Sequence, residues 1–392
     1  MPHLDLSNDL SMYYEMFTSR PDNPWILLIH PLLTEISVVR SFTEQSEIKE
    51  NFNCILFELR LHGRTKSNVI ATMDRFTLAA DLAFAMQKLH LPPVHVISAQ
   101  ANVSEVALAL AAIFPERVSS LFLCGLAPDV YPESTLSAFN DCFQCVANPT
   151  DPEHWEEGML DLHFFCFHQD TNVSREDEIR VIDEWTSIVR KRYSPSKTGK
   201  FTSIAMLELG RQATPQSFRD CITQPVLVCH GAESPVFPLE AASDRFATYD
   251  KLDPRSRFEA IPGAPLTLFP LYTKFLAEKF TDWILPIIES TPKLNEKQEI
   301  IEIDYEKSLK RLYEICKDPT ILKRDPTNSS SFYALDELSL TQRKMGLEHA
   351  FQVEKTSFCF MDENDPEWWS DETVKTQSTK IPWKFSTRFE HS

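Results

Sequence analysis

The chain has 392 residues, of which 43% are apolar and 24% are charged, a composition typical of a globular protein with a sizeable core. Its formal net charge is −18 and no long basic run occurs, so nucleic acid and anionic membrane surfaces are not expected as partners. The first residues lack a signal-peptide pattern and no apolar run is long enough to span a bilayer, which predicts a cytoplasmic chain without a membrane span.

The nine cysteines are an odd number and lie mostly in apolar segments, as is typical of reduced core thiols in the cytosol. Cys142 and Cys145 form a lone CxxC pair next to Phe139 and Phe143. This setting indicates a buried helix face rather than a redox or metal site, because no second pair of ligands follows. We expect no metal and no cofactor.

Six short apolar runs predict strands, at residues 25–30, 54–59, 94–98, 121–125, 226–231 and 257–261. Continuous apolar runs of this length are typical of parallel strands that are buried on both faces. Segments with helical spacing of apolar residues lie between them, for example at residues 76–91 and 104–118. The alternation predicts an α/β fold with a mostly parallel, doubly wound sheet.

The pattern divides the chain into four regions. Residues 1–127 form the first half of the core, residues 128–222 a helical cap insertion, and residues 223–289 the second half of the core. Residues 290–392 form a polar, partly ordered C-terminal extension with one helical stretch at residues 305–316. This extension either packs along the core or contacts a protein partner.

The segment "VISAQANV", residues 96–103, leads from an apolar strand through a turn of small residues into an Ala- and Leu-rich helix. Such a turn commonly displays a catalytic nucleophile. Its tip is Gln100, however, and a carboxamide has no atom that attacks a carbonyl group at neutral pH. The chemistry therefore lies elsewhere, or there is none.

Together the segments resemble the α/β-hydrolase family over about residues 25–288. "LLIHP" with Leu32 and Leu33 is similar to the strand and oxyanion loop, and "VISAQANV" to the nucleophile elbow. "PVLVCHGAESPVFP" and "RFEAIPGAPL" look like the strands and loops that present the acid and the histidine. The resemblance implies an α/β-hydrolase fold with a cap.

The departures from the family pattern fall on the catalytic triad. The resemblance places the nucleophile at Gln100, the acid at Ser234 with Glu233 one position early, and the histidine at Pro265 or Leu266. All three positions are replaced, whereas a triad needs a nucleophile, a base and a group that orients the base. A serine-hydrolase activity is therefore not expected.

Polar residues near the turn have two interpretations each. Gln100 is a positioned hydrogen-bond donor or a relic of the elbow, and Glu233 is an acid or base or a loop cap. His30 is more typical of a structural histidine than of an acid or base. His30 and Ser234 are nevertheless candidate ligand contacts.

Two further groups complete the predicted pocket. Leu32, Leu33 and Ala101 are candidate ligand contacts because their backbone N–H groups could point into the pocket, although Pro31 removes the donor of the family's glycine. In "DLHFFCFHQD", Asp161, His163 and His168 accompany three phenylalanines, which favours an aromatic lid over a metal site.

Three functions fit the sequence. The first is a non-hydrolytic enzyme, such as a lyase, isomerase or cyclase, that acts on a small apolar metabolite under the cap through Gln100 and Glu233. The second is a non-catalytic ligand-binding or scaffolding protein, and the third is a hydrolase of an ester or epoxide with relocated catalytic groups.

Overall fold

The computed structural model describes residues 2–167, 174–234, 236–290, 302–361 and 380–382, with residues 359–361 and 380–382 described in backbone only. A nine-stranded sheet forms the centre of this described part. Its strands are β1 (His3–Ser7), β2 (Leu10–Phe17), β3 (Trp25–Ile29), β4 (Asn53–Phe57), β5 (Lys66–Ser67), β6 (Val94–Ser98), β7 (Val118–Cys124), β8 (Val226–Gly231) and β9 (Arg257–Ile261). A separate parallel pair joins β10 (Cys359–Met361) and β11 (Lys380–Pro382).

The sheet order is β1-β2-β4-β3-β6-β7-β8-β9, with β5 paired to β2. The strands from β4 to β9 in this order run parallel, whereas β1, β2 and β5 pair antiparallel. In the register, Ile29 lies beside Ser98, and Gly231 lies beside Ile261. The loops that follow these four strands therefore meet at one edge of the sheet, where ligands bind in folds of this type.

Helices cover both faces of the sheet and form the cap. They are α1 (Ser37–Thr43), α2 (Ser46–Asn51), α3 (Arg75–Lys88), α4 (Ala101–Ile113), α5 (Glu133–Ala147), α6 (Pro152–Cys166), α7 (Arg175–Arg192), α8 (Thr198–Leu209), α9 (Gln216–Arg219), α10 (Leu239–Ala247), α11 (Thr273–Ser290), α12 (Tyr305–Cys316) and α13 (Glu337–Glu354). Helices α5 to α8 lie between β7 and β8 and form the cap. None of the helices in the described part of the chain is long and apolar enough to cross a membrane.

The core has two layers, one on each face of the sheet. Alternate residues of each strand point to opposite faces, so Leu27 packs with the layer of α3 and α4 while Leu28 packs with the layer of α1, α2 and α11. Helix α4 is mainly apolar and almost wholly buried, which fits its place between the sheet and the C-terminal extension. The mostly parallel, doubly wound sheet predicted from the sequence is confirmed.

The C-terminal extension packs on both the core and the cap. In α12, Leu309, Leu312 and Ile315 are buried, and the helix contacts α4. The other end of the extension, α13, packs on α8, where a Cβ added to Gly199 would lie 2.5 Å from Cε1 of Phe351. The extension thus spans from the back of the core to the cap.

Helix α13 was not predicted. Its buried face consists of Arg343, Leu347 and Ala350, at the spacing of one helix face but with an arginine in the stripe. Arg343 donates hydrogen bonds to the carbonyl oxygens of Met73 in the core and Met206 in α8. A buried polar anchor of this kind weakens the apolar periodicity by which helices are recognised.

Candidate functional site

Gln100 occupies the turn between β6 and α4 and is only 3% exposed. Its backbone is extended, with φ −158° and ψ 155°, so the turn lacks the strain typical of a nucleophile elbow. Its side-chain Nε2 donates a hydrogen bond to Oγ1 of Thr267, 3.1 Å away, in the loop after β9. The carboxamide therefore links the two loops that meet at this edge of the sheet.

Two serine hydroxyl groups flank the turn along the chain. Oγ of Ser98 and Oγ of Ser104 are 2.7 Å apart, and Oγ of Ser104 also lies 2.8 Å from the carbonyl oxygen of Gly125. Both residues are fully buried. These hydroxyls stabilise the strand-to-helix connection.

A small cavity lies above Gln100 and beneath the cap helices. Its volume is about 50 Å³, which is room for about three or four water molecules. The wall is mainly apolar and is made by Leu32, Leu33, Gln100, Asn102, Phe139, Phe143, Met159, Leu162, His163, Phe165, Cys166, Trp185, Val189, Ile204, Ala205, Glu208 and Leu266. Enclosed apolar cavities with a few polar groups are the usual form of small-molecule sites.

Two cap residues bring polar atoms to this wall. His163 on α6 is 6% exposed, and its Nε2 lies 3.0 Å from Oγ1 of Thr186 on α7. Burial lowers the pKa of His163 to about 4, so its ring is neutral at pH 7. Nδ1 of His163 and Nε1 of Trp185 are buried and have no hydrogen-bond partner among the described residues. The sequence prediction of an aromatic lid included His163, but it missed Trp185.

Cys166 is the only cysteine among the described residues that line the cavity. Burial raises the pKa of its thiol to about 12. Since the thiolate is the nucleophilic form, a buried thiol of this kind is inert at neutral pH. The Cys166 carbonyl oxygen accepts a hydrogen bond from the backbone N–H of Thr267, which ties α6 to the loop after β9.

Leu32 and Leu33, two of the predicted ligand contacts, line the cavity. The backbone of Leu33 has a positive φ of 61°. A left-handed backbone is rare for leucine and marks a constrained loop. Ala101 is the first residue of α4 and is fully buried. The loop after β3 and the start of α4 thus flank Gln100.

His30 does not face the cavity. Its Nδ1 donates to the carbonyl oxygen of Pro31 at 2.8 Å, and its Nε2 accepts the backbone N–H of Leu59 at 3.1 Å. Burial lowers the pKa of His30 and keeps the ring neutral. With both nitrogens bound to the backbone, His30 has no free ring atom for a ligand.

Glu233 and Ser234 follow β8 but do not line the cavity. The side chain of Glu233 is exposed to solvent, and its backbone N–H bonds the carbonyl oxygen of Ala264. Oγ of Ser234 accepts the backbone N–H of Phe237 at 3.1 Å and closes the turn. The structure therefore does not bring these two predicted site residues to Gln100. His168 lies outside the described residues.

A second pocket, lined by several charged side chains, adjoins the cavity and shares Leu32, Asn102 and Glu208 with it. Burial alone would raise the pKa of Glu105 in this pocket, but Arg211 and Arg245 outweigh it and hold that pKa well below its usual range. Arg343 from the C-terminal extension completes the wall. This pocket is a charge-paired junction between the core, the cap and the extension.

With the fold and the cavity described, comparisons with known proteins identify the family. The α/β hydrolase fold family matches residues 24–265, and the chain belongs to this family. An enol-lactonase from Burkholderia xenovorans LB400 is similar, with 16% identity, a TM-score of 0.56, and coverage of 74% of this chain and 100% of that chain.

An esterase from Exiguobacterium antarcticum has 17% identity and a TM-score of 0.54, over 72% of this chain and 96% of that chain. At these identities the structural similarity shows the fold alone. The search of curated proteins gives no match.

Proposed function

We propose that this protein binds a small apolar ligand in the cavity beneath its cap and does not hydrolyse it. The observation that carries the proposal is Gln100, a residue of the cavity wall at the position where the sequence resemblance to the family places the nucleophile. A carboxamide donates and accepts hydrogen bonds but does not attack a carbonyl carbon. The mainly apolar wall and its few polar residues support a binding role.

A second candidate is a non-hydrolytic enzyme of the lyase, isomerase or cyclase type. His163 favours it, because this residue of the cavity wall has a neutral imidazole whose Nδ1 has no partner among the described residues and can accept a proton. Gln100 has a second N–H besides the one bound to Thr267, and this N–H could polarise an oxygen of the substrate. Turnover of the bound ligand would favour this candidate over simple binding.

The third candidate, a hydrolase with relocated groups, would use Cys166 with His163. The raised pKa of the Cys166 thiol argues against a thiolate nucleophile. We also propose a cytoplasmic location, because the described cysteines are free thiols. A protein partner for the C-terminal extension stays a proposal.

A fluorophosphonate probe tests the absence of serine chemistry. We expect no adduct at residues 98–104, since Ser98 and Ser104 are buried and bonded to each other. Intact-protein and peptide mass spectrometry provide the readout. An adduct on Ser98 or Ser104 would contradict the proposal, and alkylation of native Cys166 by iodoacetamide would revive the third candidate.

Gln100→Ser restores only the missing hydroxyl. We expect this variant to remain inactive on short-chain p-nitrophenyl esters, because the members of a triad act as a unit and a serine without its base is not activated. The wild type and Gln100→Ala provide matched controls for background hydrolysis. Substantial turnover by the serine variant alone would show that a base lies within reach of position 100. His163 would be the first candidate for this base.

A further inference from the structure

Two residues of the cavity wall each carry a buried hydrogen-bonding atom that has no partner in the described part of the chain. One is Nδ1 of His163 on α6 and the other is Nε1 of Trp185 on α7. Their residues are 6% and 4% exposed. The two helices are joined here, because His163 contacts Thr186, the residue after Trp185. Both residues therefore lie in the same part of the cap.

The contacts of Thr186 determine which ring nitrogen of His163 carries the proton. Oγ1 of Thr186 donates its proton to the carbonyl oxygen of Ile182 at 2.8 Å. It must then accept from Nε2–H of His163, 3.0 Å away. The proton of the neutral ring is thus on Nε2, and Nδ1 is a bare acceptor. Nε1–H of Trp185 is always a donor.

We propose that the ligand of this cavity is a small apolar alcohol, whose hydroxyl group donates to Nδ1 of His163 and accepts from Nε1–H of Trp185. A hydroxyl group meets both requirements because it has one proton and two lone pairs. An ether, ketone or ester offers only acceptors and leaves His163 unpaired, at a cost in affinity. This inference rests on the proposed binding function and names its ligand class.

The remaining polar groups of the wall fit the same class. Oδ1 of Asn102 is another buried acceptor that lacks a partner within the described ranges, so the wall favours a ligand that can donate. Oε2 of Glu208 already accepts from the hydroxyl of Tyr131 at 2.5 Å. A carboxylate ligand would bring a buried charge next to acceptors and is disfavoured. The neutral His163 at pH 7 is consistent with this preference.

Three probes of matched size, each with four heavy atoms, separate the two hydrogen bonds: 1-propanol, ethyl methyl ether and butane. We expect His163→Phe to weaken 1-propanol binding about ten-fold and to leave the binding of the ether and of butane unchanged. Trp185→Phe should weaken the binding of 1-propanol and of the ether by a similar factor and leave that of butane unchanged. Each dissociation constant is compared with the wild-type value for the same probe, so differences in solubility cancel. Unchanged butane binding shows that the cavity is intact in each variant.

The wild type provides a second readout that needs no substitution. The Trp185 indole N–H resonance should shift with 1-propanol and the ether but not with butane, and the His163 Nδ1 nitrogen resonance should shift with 1-propanol alone. Equal shifts for all three probes, or equal losses in both variants, would overturn the inference. A loss of 1-propanol binding in Asn102→Leu but not in His163→Phe would overturn the assignment to His163.

A variant with a filled cavity distinguishes failure of this inference from failure of the proposed binding function. Ala205→Leu adds bulk to the cavity wall, whereas Leu160→Phe changes an exposed position of the same cap. If Ala205→Leu abolishes binding of all three probes but the probes show no selective losses, only the alcohol inference fails. If no probe binds the wild type, or the filled variant binds all of them as well, the proposed function fails with it.

Discussion

A chain that ends at Ser290 is expected to lose on the order of 5 kcal/mol of unfolding free energy relative to the full chain. The deleted part includes Leu309, Leu312, Ile321 and Phe332, all nearly or fully buried against the core. Their removal exposes the apolar faces of α3 and α4 to water. Thermal and urea unfolding of the two chains measure the effect.

Hydrogen bonds fix the same segment to the core. Oγ1 of Thr77 donates to the carbonyl oxygen of Phe332 at 2.9 Å, and the backbone N–H of Ala334 donates to Oδ2 of Asp74 at 2.7 Å. Asp74 also caps α3 through the backbone N–H groups of Phe76 and Thr77. The extension is therefore joined to the first turn of a core helix.

Matched variants separate loss of packing from loss of chain length. Phe332→Ala should cost about 3–5 kcal/mol, whereas Leu338→Ala, at a side chain that is 67% exposed, should cost little. Truncation after Ser370 should also have little effect. A 1–290 fragment that unfolds at the same temperature as the full chain and stays monodisperse would contradict this prediction. The extension would then be an independent tail that binds a partner.

Lowering the pH is expected to destabilise the protein already at pH values well above the pKa range of ordinary carboxyl groups. Burial lowers the pKa of His62 to about 3 and the pKa values of His95 and His163 to about 4, from an ordinary value of 6.5. The unfolded chain then binds protons that the folded chain excludes. The contribution of these histidines to the free energy of unfolding is fully present above about pH 6.5, their pKa in the unfolded chain. It is lost as the pH falls towards their pKa values in the folded chain.

The size of this effect follows from linkage. Each of these three histidines removes about 2 kcal/mol of unfolding free energy at about pH 5. Burial raises the pKa values of Asp74 and Glu208, and these two groups offset part of the loss. Urea unfolding at about pH 7.5 and about pH 5 measures the difference.

Variants of two histidines test the cause. His95→Gln should flatten the pH dependence by about 1.4 kcal/mol per pH unit, because one excluded proton is gone. His349→Gln, at an exposed position of α13, should leave the slope unchanged. A wild-type unfolding free energy that is the same at both pH values would contradict this explanation.

The sequence predicted the parallel strands well because each is a continuous apolar run with clear ends. Strands β6, β8 and β9 begin and end where predicted. The N-terminal hairpin of β1 and β2 was missed, since its partly exposed strands carry polar residues and pair antiparallel at the sheet edge. Sheet edges have weaker sequence signals than the interior of a parallel sheet.

The site was only partly predictable. The position of Gln100 followed from the strand-turn-helix pattern, and Leu32 and Leu33 from the loop after β3. Glu233 was expected at the pocket, but its side chain is exposed. Sequence order could not predict this, because it places a loop at a sheet edge without specifying the direction of its side chains. His163 and Trp185 depend on how the cap helices pack, which no local pattern specifies.

Native mass spectrometry of the protein purified from its own source tests most directly whether the cavity binds a small apolar ligand. We expect one small molecule bound to each chain, retained by Leu160→Phe and lost from Ala205→Leu, whose added side chain fills the cavity. An unliganded wild type, or a ligand that stays bound to Ala205→Leu, would contradict the proposal that this cavity is the functional site.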